Sequence, residues 1–119
     1  MSHINPYQPP EDGLPPQEVR VLELRAEPWP DNSHRVRIHL QLTPFLERPD
    51  IEVIITGSDG KKVSSIDIIE TIEDHMTFTM HLKGEQVSGQ FSVQASLSYP
   101  DNGIIDQKSA PFDVTEPTA

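Results

Sequence analysis

Residues His34–Leu42 alternate strictly in polarity. Val36, Ile38, Leu40 and Leu42 take the even positions, and Arg35, Arg37, His39 and Gln41 the odd ones. On a helix these apolar residues would scatter around the circumference, whereas on a strand they share one face. The pattern recurs at His75–Leu82 (Met76, Phe78, Met80, Leu82) and at Gln90–Tyr99 (Phe91, Val93, Ala95, Leu97, Tyr99). Three such runs in one short chain require sheet with a dry side and a wet side.

Four further runs complete the reading. Glu18–Glu27 places Leu22, Leu24 and Ala26 on one face, and Pro28-Trp29-Pro30-Asp31-Asn32-Ser33 ends it. Ile51–Thr56 stops at Gly57-Ser58-Asp59-Gly60, Lys62–Ile69 follows, and Ile104–Val114 comes after the turn Pro100-Asp101-Asn102-Gly103. Composition agrees: 11 Ile and 8 Val stand against 8 Leu and 4 Ala, and β-branched side chains favour pleated sheet over helix. In residues 64–76, Ile66, Ile69, Ile72 and Met76 also fit a helical spacing. Four isoleucines between 66 and 72 favour strand, and a short helical turn near Glu70–Asp74 is the alternative.

The expected fold class is all-β, an antiparallel sandwich of seven strands within 18–114. Residues 1–17 hold five of the 12 prolines and no basic residue, so they are expected to form a disordered tail with few contacts. Residues 115–119 read as a second, shorter disordered tail. Within the first, Pro6-Tyr7-Gln8-Pro9 has PxxP spacing, a pattern that any Pro-rich tail produces readily.

Seven short strands in about 100 residues match a two-sheet sandwich. Gly89-Gln90-Phe91-Ser92-Val93 resembles the pattern opening the sixth strand of immunoglobulin-like and fibronectin type III-like domains, with Phe91 in place of Tyr and Val93 in place of Cys. The resemblance spans residues 18–114 and implies a generic, bacterial-type Ig-like sandwich. It departs from antibody domains in having no cysteine pair, no tyrosine hydroxyl at residue 91, and Trp29 ahead of the second strand. The fold hosts many functions and implies none.

Charge narrows the function classes. Nine Lys+Arg against 19 Asp+Glu give a net charge of -10, which repels nucleic acid and anionic lipid. With no Cys, no thiolate metal site and no cysteine nucleophile exist. No apolar run reaches the roughly 18 residues of a membrane span, and no signal peptide is visible, so the cytoplasm is the default location. No nucleophile elbow or phosphate loop is present, and Gly57-Ser58-Asp59-Gly60 reads as a hairpin turn. The expectation is a non-enzyme with no cofactor and no metal.

Some candidate sites remain. His39 and His75 face outward on strands that an Ig-like order makes neighbours, yet two histidines without a third ligand hold zinc weakly. One end of the sandwich gathers Glu47, Asp50, Glu70, Glu73, Asp74, Asp101 and Asn102, a calcium-type set without an Asp-x-Asp-x-Asp-Gly pattern. Trp29 between two prolines either caps the core or stacks on a ligand. Phe45, Leu46 and Tyr99 form a possible contact patch at the other end. The least ordinary feature is the outward side of the sixth strand. Gln90, Ser92, Gln94, Ser96 and Ser98 carry no charge in a chain that is 24% charged, and Ile54 adds apolar area if its register places it outward. An Arg at residue 96 is expected to leave the fold intact. These residues are the expected binding face of an Ig-like protein-interaction module whose partner is another protein. The alternative is a carbohydrate- or calcium-binding module using Trp29 or the loop end.

Overall fold

A computed structural model describes residues 7–30, 32–84 and 88–115. Among them lie seven strands: β1 (Val21–Trp29), β2 (Asn32–Leu42), β3 (Asp50–Gly57), β4 (Lys62–Ile68), β5 (His75–His81), β6 (Gly89–Tyr99) and β7 (Gly103–Val114). They form two antiparallel sheets, ordered β1-β2-β5 and β4-β3-β6-β7. The β2–β5 pairing is the one an Ig-like order requires. The fourth strand lies beside the third rather than the fifth, so the sheets divide three and four.

The dry positions of the two sheets meet as period-two alternation demands. Val36, Ile38 and Leu40 of β2 are fully buried with Val53 and Ile55 of β3 and Val93, Ala95 and Leu97 of β6. Ile38, Leu40 and Val93 hold the centre as their parity implies. Phe78 and Phe91, which share the inward parity of their strands, are only partly buried at the margin. The reason is position: β5 is an edge strand, and Phe91 stacks on Phe112 of edge strand β7 with centroids 5.6 Å apart. Across the sheets, the Val21 amide donates to Asp106 Oδ2 at 2.8 Å and ties β1 to β7.

Two local expectations are corrected. A register shift between Val21 and Glu23 turns Val21 and Leu24 inward, leaving Leu22 52% exposed. The bulge breaks the parity that had grouped Leu22 with Leu24 and Ala26. The stretch after β4 is neither strand nor helix. It bends at Glu70, whose φ of 49° is left-handed. The Glu70 amide donates to Asp50 Oδ1 at 2.8 Å, its carboxylate meets Arg48 at 3.1 Å, and the Thr71 amide donates to Pro49 O. These contacts offset the roughly 1–3 kcal/mol of backbone strain.

Residues 7–17 are also not a contact-free tail. Tyr7 stacks on Phe45 and donates its hydroxyl to the Phe45 carbonyl. Leu14 bridges to Phe45 in parallel, and Pro16–Glu18 form a 3-10 turn. Gly13 permits the approach, since a Cβ there would lie 3.0 Å from the Phe45 carbonyl carbon. One aromatic and one leucine seat the segment despite its prolines. Residues 1–6 and 116–119, assigned to the tails, lie outside the described residues.

Candidate functional site

The four-stranded sheet builds the first site from its outer side. Register places Glu52 opposite Ser96 and Asp67, Ile54 opposite Gln94 and Ser65, and Asp50 opposite Ser98. On the far flank Ser96 faces Gln107, and Ser98 faces Ile104. Ile54 therefore does point outward, half-buried between Ser65 and Gln94. Gln90 and Gln94 are exposed, and Ser92 and Ser98 are half-buried.

Ser96 differs from its expected exposure. It is 7% exposed, and its hydroxyl accepts a hydrogen bond from Gln107 Nε2 at 3.0 Å. Parity placed Ser96 on the outer face, but longer neighbours close over a short side chain. An Arg there would have to displace Gln107, so Ser96→Arg is no longer a silent probe of the face.

A recess of about 260 Å³ lies over this floor. Its lining runs across the sheet: Asp67 of β4 with Ile69 just past it, Asp50 and Glu52 of β3, Ser96 and Ser98 of β6, and Ile104 of β7. Ile69 is 68% exposed and Ile104 61%. Sequence patterning missed both. Ile69 is expected as the end of the fourth strand, but β4 stops at Ile68, and Ile69 continues the outward parity of Ser65 and Asp67. Ile104 starts an edge strand whose register shift breaks the parity of its neighbours.

The other candidates resolve differently. Glu70 and Asp50 are engaged with Arg48 and a backbone amide, and no three His, Asp or Glu among the described residues come together to hold a metal ion. His75 pairs with Gln41, while His39 faces Thr77 and lies 3.5 Å from Glu27 Oε1. Phe45 and Tyr99 do not form a surface patch, because both are buried. The Tyr99 hydroxyl donates to Glu47 O at 2.7 Å. Burial, reinforced by the charge of Glu47, pushes its pKa up to about 12. Burial and the charge of Asp74 also raise that of Tyr7. Both phenols stay neutral donors that fasten the 45–47 loop. Trp29 is absent from the core cluster and lies instead with the outward arginines of β2.

No helix among the described residues is long and apolar enough to cross a membrane. No protein-family model and no curated protein matches the chain. Solved structures do match its shape. A glycosyl hydrolase family 2 member from Bacteroides cellulosilyticus superposes with a TM-score of 0.61 at 11% identity over 81% of this chain. A β-glucuronidase of Parabacteroides merdae gives 0.60 at 14% identity over 81%. That of Bifidobacterium dentium gives 0.55 at 12% identity over 81%. The chain spans 14% of the first two proteins and 18% of the third, and at such identities the likeness establishes the β-sandwich alone.

Proposed function

We propose that the chain is a non-catalytic Ig-like interaction module that docks another protein on the outer face of its four-stranded sheet. The observation that carries this reading is the pair Ile69 and Ile104, largely exposed on either side of a floor where Ser96 and Ser98 of β6 stand opposite Glu52 and Asp50 of β3. Large apolar side chains left exposed beside polar groups that a partner can pair with mark an interaction surface. The floor between them is acidic, through Asp50 and Glu52, with Asp67 beside them. The partner surface that complements it offers basic groups between two apolar contacts. The expected binding residues thus become Ile54, Ser98 and the exposed Gln94, joined by Ile69 and Ile104, with Ser96 as floor and Gln90 and Ser92 at the far end of β6. Spanning only 14–18% of the enzyme chains whose shape it shares supports a module without its own active centre.

The test places charge on the exposed isoleucine. Ile104→Arg removes one of the two exposed apolar contacts and sets a cation in the recess that repels a basic partner and competes for Asp50 and Glu52, yet leaves the core untouched. In a pull-down against a partner first identified with wild type, Ile104→Arg is expected to lose binding at least about a hundredfold, because burying the added charge against a basic partner costs several kcal/mol. Arg35→Glu on the opposite sheet is expected to retain it. Retention by Ile104→Arg, with loss by Arg35→Glu, refutes the assignment.

A further inference from the structure

The three-stranded sheet presents the opposite electrostatics. Strands β2 and β5 carry no Asp or Glu at all, in a chain with 19 of them. Their outward positions include Arg35, Arg37, His39, His75 and His81, with Gln41, Thr77 and Thr79 between, and the acids of this face are confined to β1. There Arg25 is already flanked by Glu23 at 3.5 Å and Glu27 at 3.9 Å.

Arg35 and Arg37 have no such partners. Among the described residues neither meets a carboxylate within ion-pair distance. Their guanidinium carbons lie instead 5.3 and 5.4 Å from the centroid of the Trp29 ring. The Trp29 indole Nε1 is buried and has no acceptor among the described residues. A recess of about 400 Å³ opens beside them, lined by Glu27, Pro28, Trp29, Pro30 and Arg37. Two unpaired guanidiniums and a donor without an acceptor form a group of donors short of an anion. Guanidinium forks match carboxylates in geometry as well as charge.

We propose that this face binds an extended acidic segment of a partner protein, with carboxylates at alternate positions seated on Arg35 and Arg37 beside Trp29. Spacing selects the shape of the ligand. Arg35, Arg37 and His39 stand at every second residue of a strand, about 6.7 Å apart. An extended peptide repeats its same-side carboxylates at that interval, whereas a helix does not. The guanidiniums over the indole compete for the ring surface a sugar would need for stacking, so the charged groups are the points of contact. A carboxylate that draws one guanidinium away from the ring uncovers the indole N–H, which then gains its missing acceptor. Glu27 stands opposite Arg37 across the β1–β2 ladder and lines the same recess, but it is drawn toward Arg25 and His39, so the anion is disfavoured on the β1 side of Arg37 beyond Trp29.

The test uses the full chain and its only tryptophan. Trp29 fluorescence and the indole N–H resonance are followed while an acetylated, amidated peptide of alternating Glu and Thr is added. A saturable change is expected, with none from the same peptide carrying Gln for Glu. Arg35→Gln and Arg37→Gln are each expected to raise Kd at least about tenfold with unchanged circular dichroism, since both side chains are exposed. Ile104→Arg is expected to leave the titration unchanged, which separates this site from the face assigned above. Equal response to the Gln peptide, no response to the Glu peptide, or response to trigalacturonate alone each overturns the proposal.

Discussion

The two sheets are nearly interchangeable inside and opposite outside. Inward, each offers buried aliphatic residues of matching parity, Val36, Ile38 and Leu40 against Val53, Ile55 and Val93. Outward, the four-stranded sheet shows serines, isoleucines and carboxylates around its recess. The three-stranded sheet shows arginines, histidines and an indole. Packing dictates the inner residues, so they report the fold. Outer positions escape that constraint, and a segregation of charge there reports what each face meets. An acidic chain whose strand arginines all stand on one sheet has two surfaces suited to different partners.

The comparison breaks entirely if the shared core is opened. Leu40 is fully buried between the sheets. Leu40→Ala is expected to cost about 2–5 kcal/mol in chemical denaturation, and to weaken binding at both faces together wherever the fold is lost. Phe91→Ala is expected to cost less than the 3–5 kcal/mol typical of a fully buried Phe, because Phe91 is partly exposed beside Phe112. A larger loss for Phe91→Ala than for Leu40→Ala would move the core toward the β6–β7 margin and undo this account of the interior.

Next in size is the pair of face substitutions. Ile104→Arg is expected to abolish docking on the four-stranded sheet with a stability change within about 0.5 kcal/mol. Equal stability and equal partner affinity would leave that face an ordinary solvated surface. Salt then sharpens the contrast without any substitution. Charges pairing on the three-stranded sheet are screened over about 3 Å at 1 M salt and about 10 Å at 0.1 M. Peptide affinity there is expected to fall severalfold across that range, while docking on the other sheet, which rests in part on Ile69 and Ile104, falls less. The same salt dependence at both faces would dissolve the distinction.

How much of this the sequence disclosed follows from where alternation is strict. Strands β2, β5 and β6 were legible because Val36-Arg37-Ile38-His39-Leu40 and its counterparts keep period two throughout. Alternation says nothing about bulges, so Leu22 was misplaced by the shift at Val21–Glu23. It also says nothing about coverage by neighbours, so Ser96 was placed on the outer face without foreseeing Gln107 above it. The seating of Tyr7 on Phe45 joins residues 38 positions apart, and local composition does not encode such a contact. The candidate face was legible through the missing charges of β6. Its isoleucines were not: Ile104 sits where a register shift breaks parity, and Ile69, though of outward parity with Asp67, lies among four isoleucines that read as a buried run. The Trp29–arginine group was half-visible: the arginines had been read as outward, but hairpin geometry was needed to bring the indole over them.

The smallest expected effect decides whether the charges of the three-stranded sheet serve the fold or a partner. Glu23 and Arg25 are both about half exposed and 3.5 Å apart. Exposed ion pairs of this kind contribute roughly 0–1 kcal/mol. Glu23→Gln is therefore expected to change stability by less than about 0.5 kcal/mol in denaturant titration. It also removes one of the two carboxylates beside Arg25, so that guanidinium becomes available to an incoming acid. Peptide affinity on this face is then expected to rise, by less than the loss that Arg37→Gln produces. A clear loss of stability instead would show that the β1 charges hold the hairpin together, and that the segregation of charge is structural. Unchanged stability with tighter peptide binding places the cationic row of β2, and not the ladder on β1, as the working part of the face.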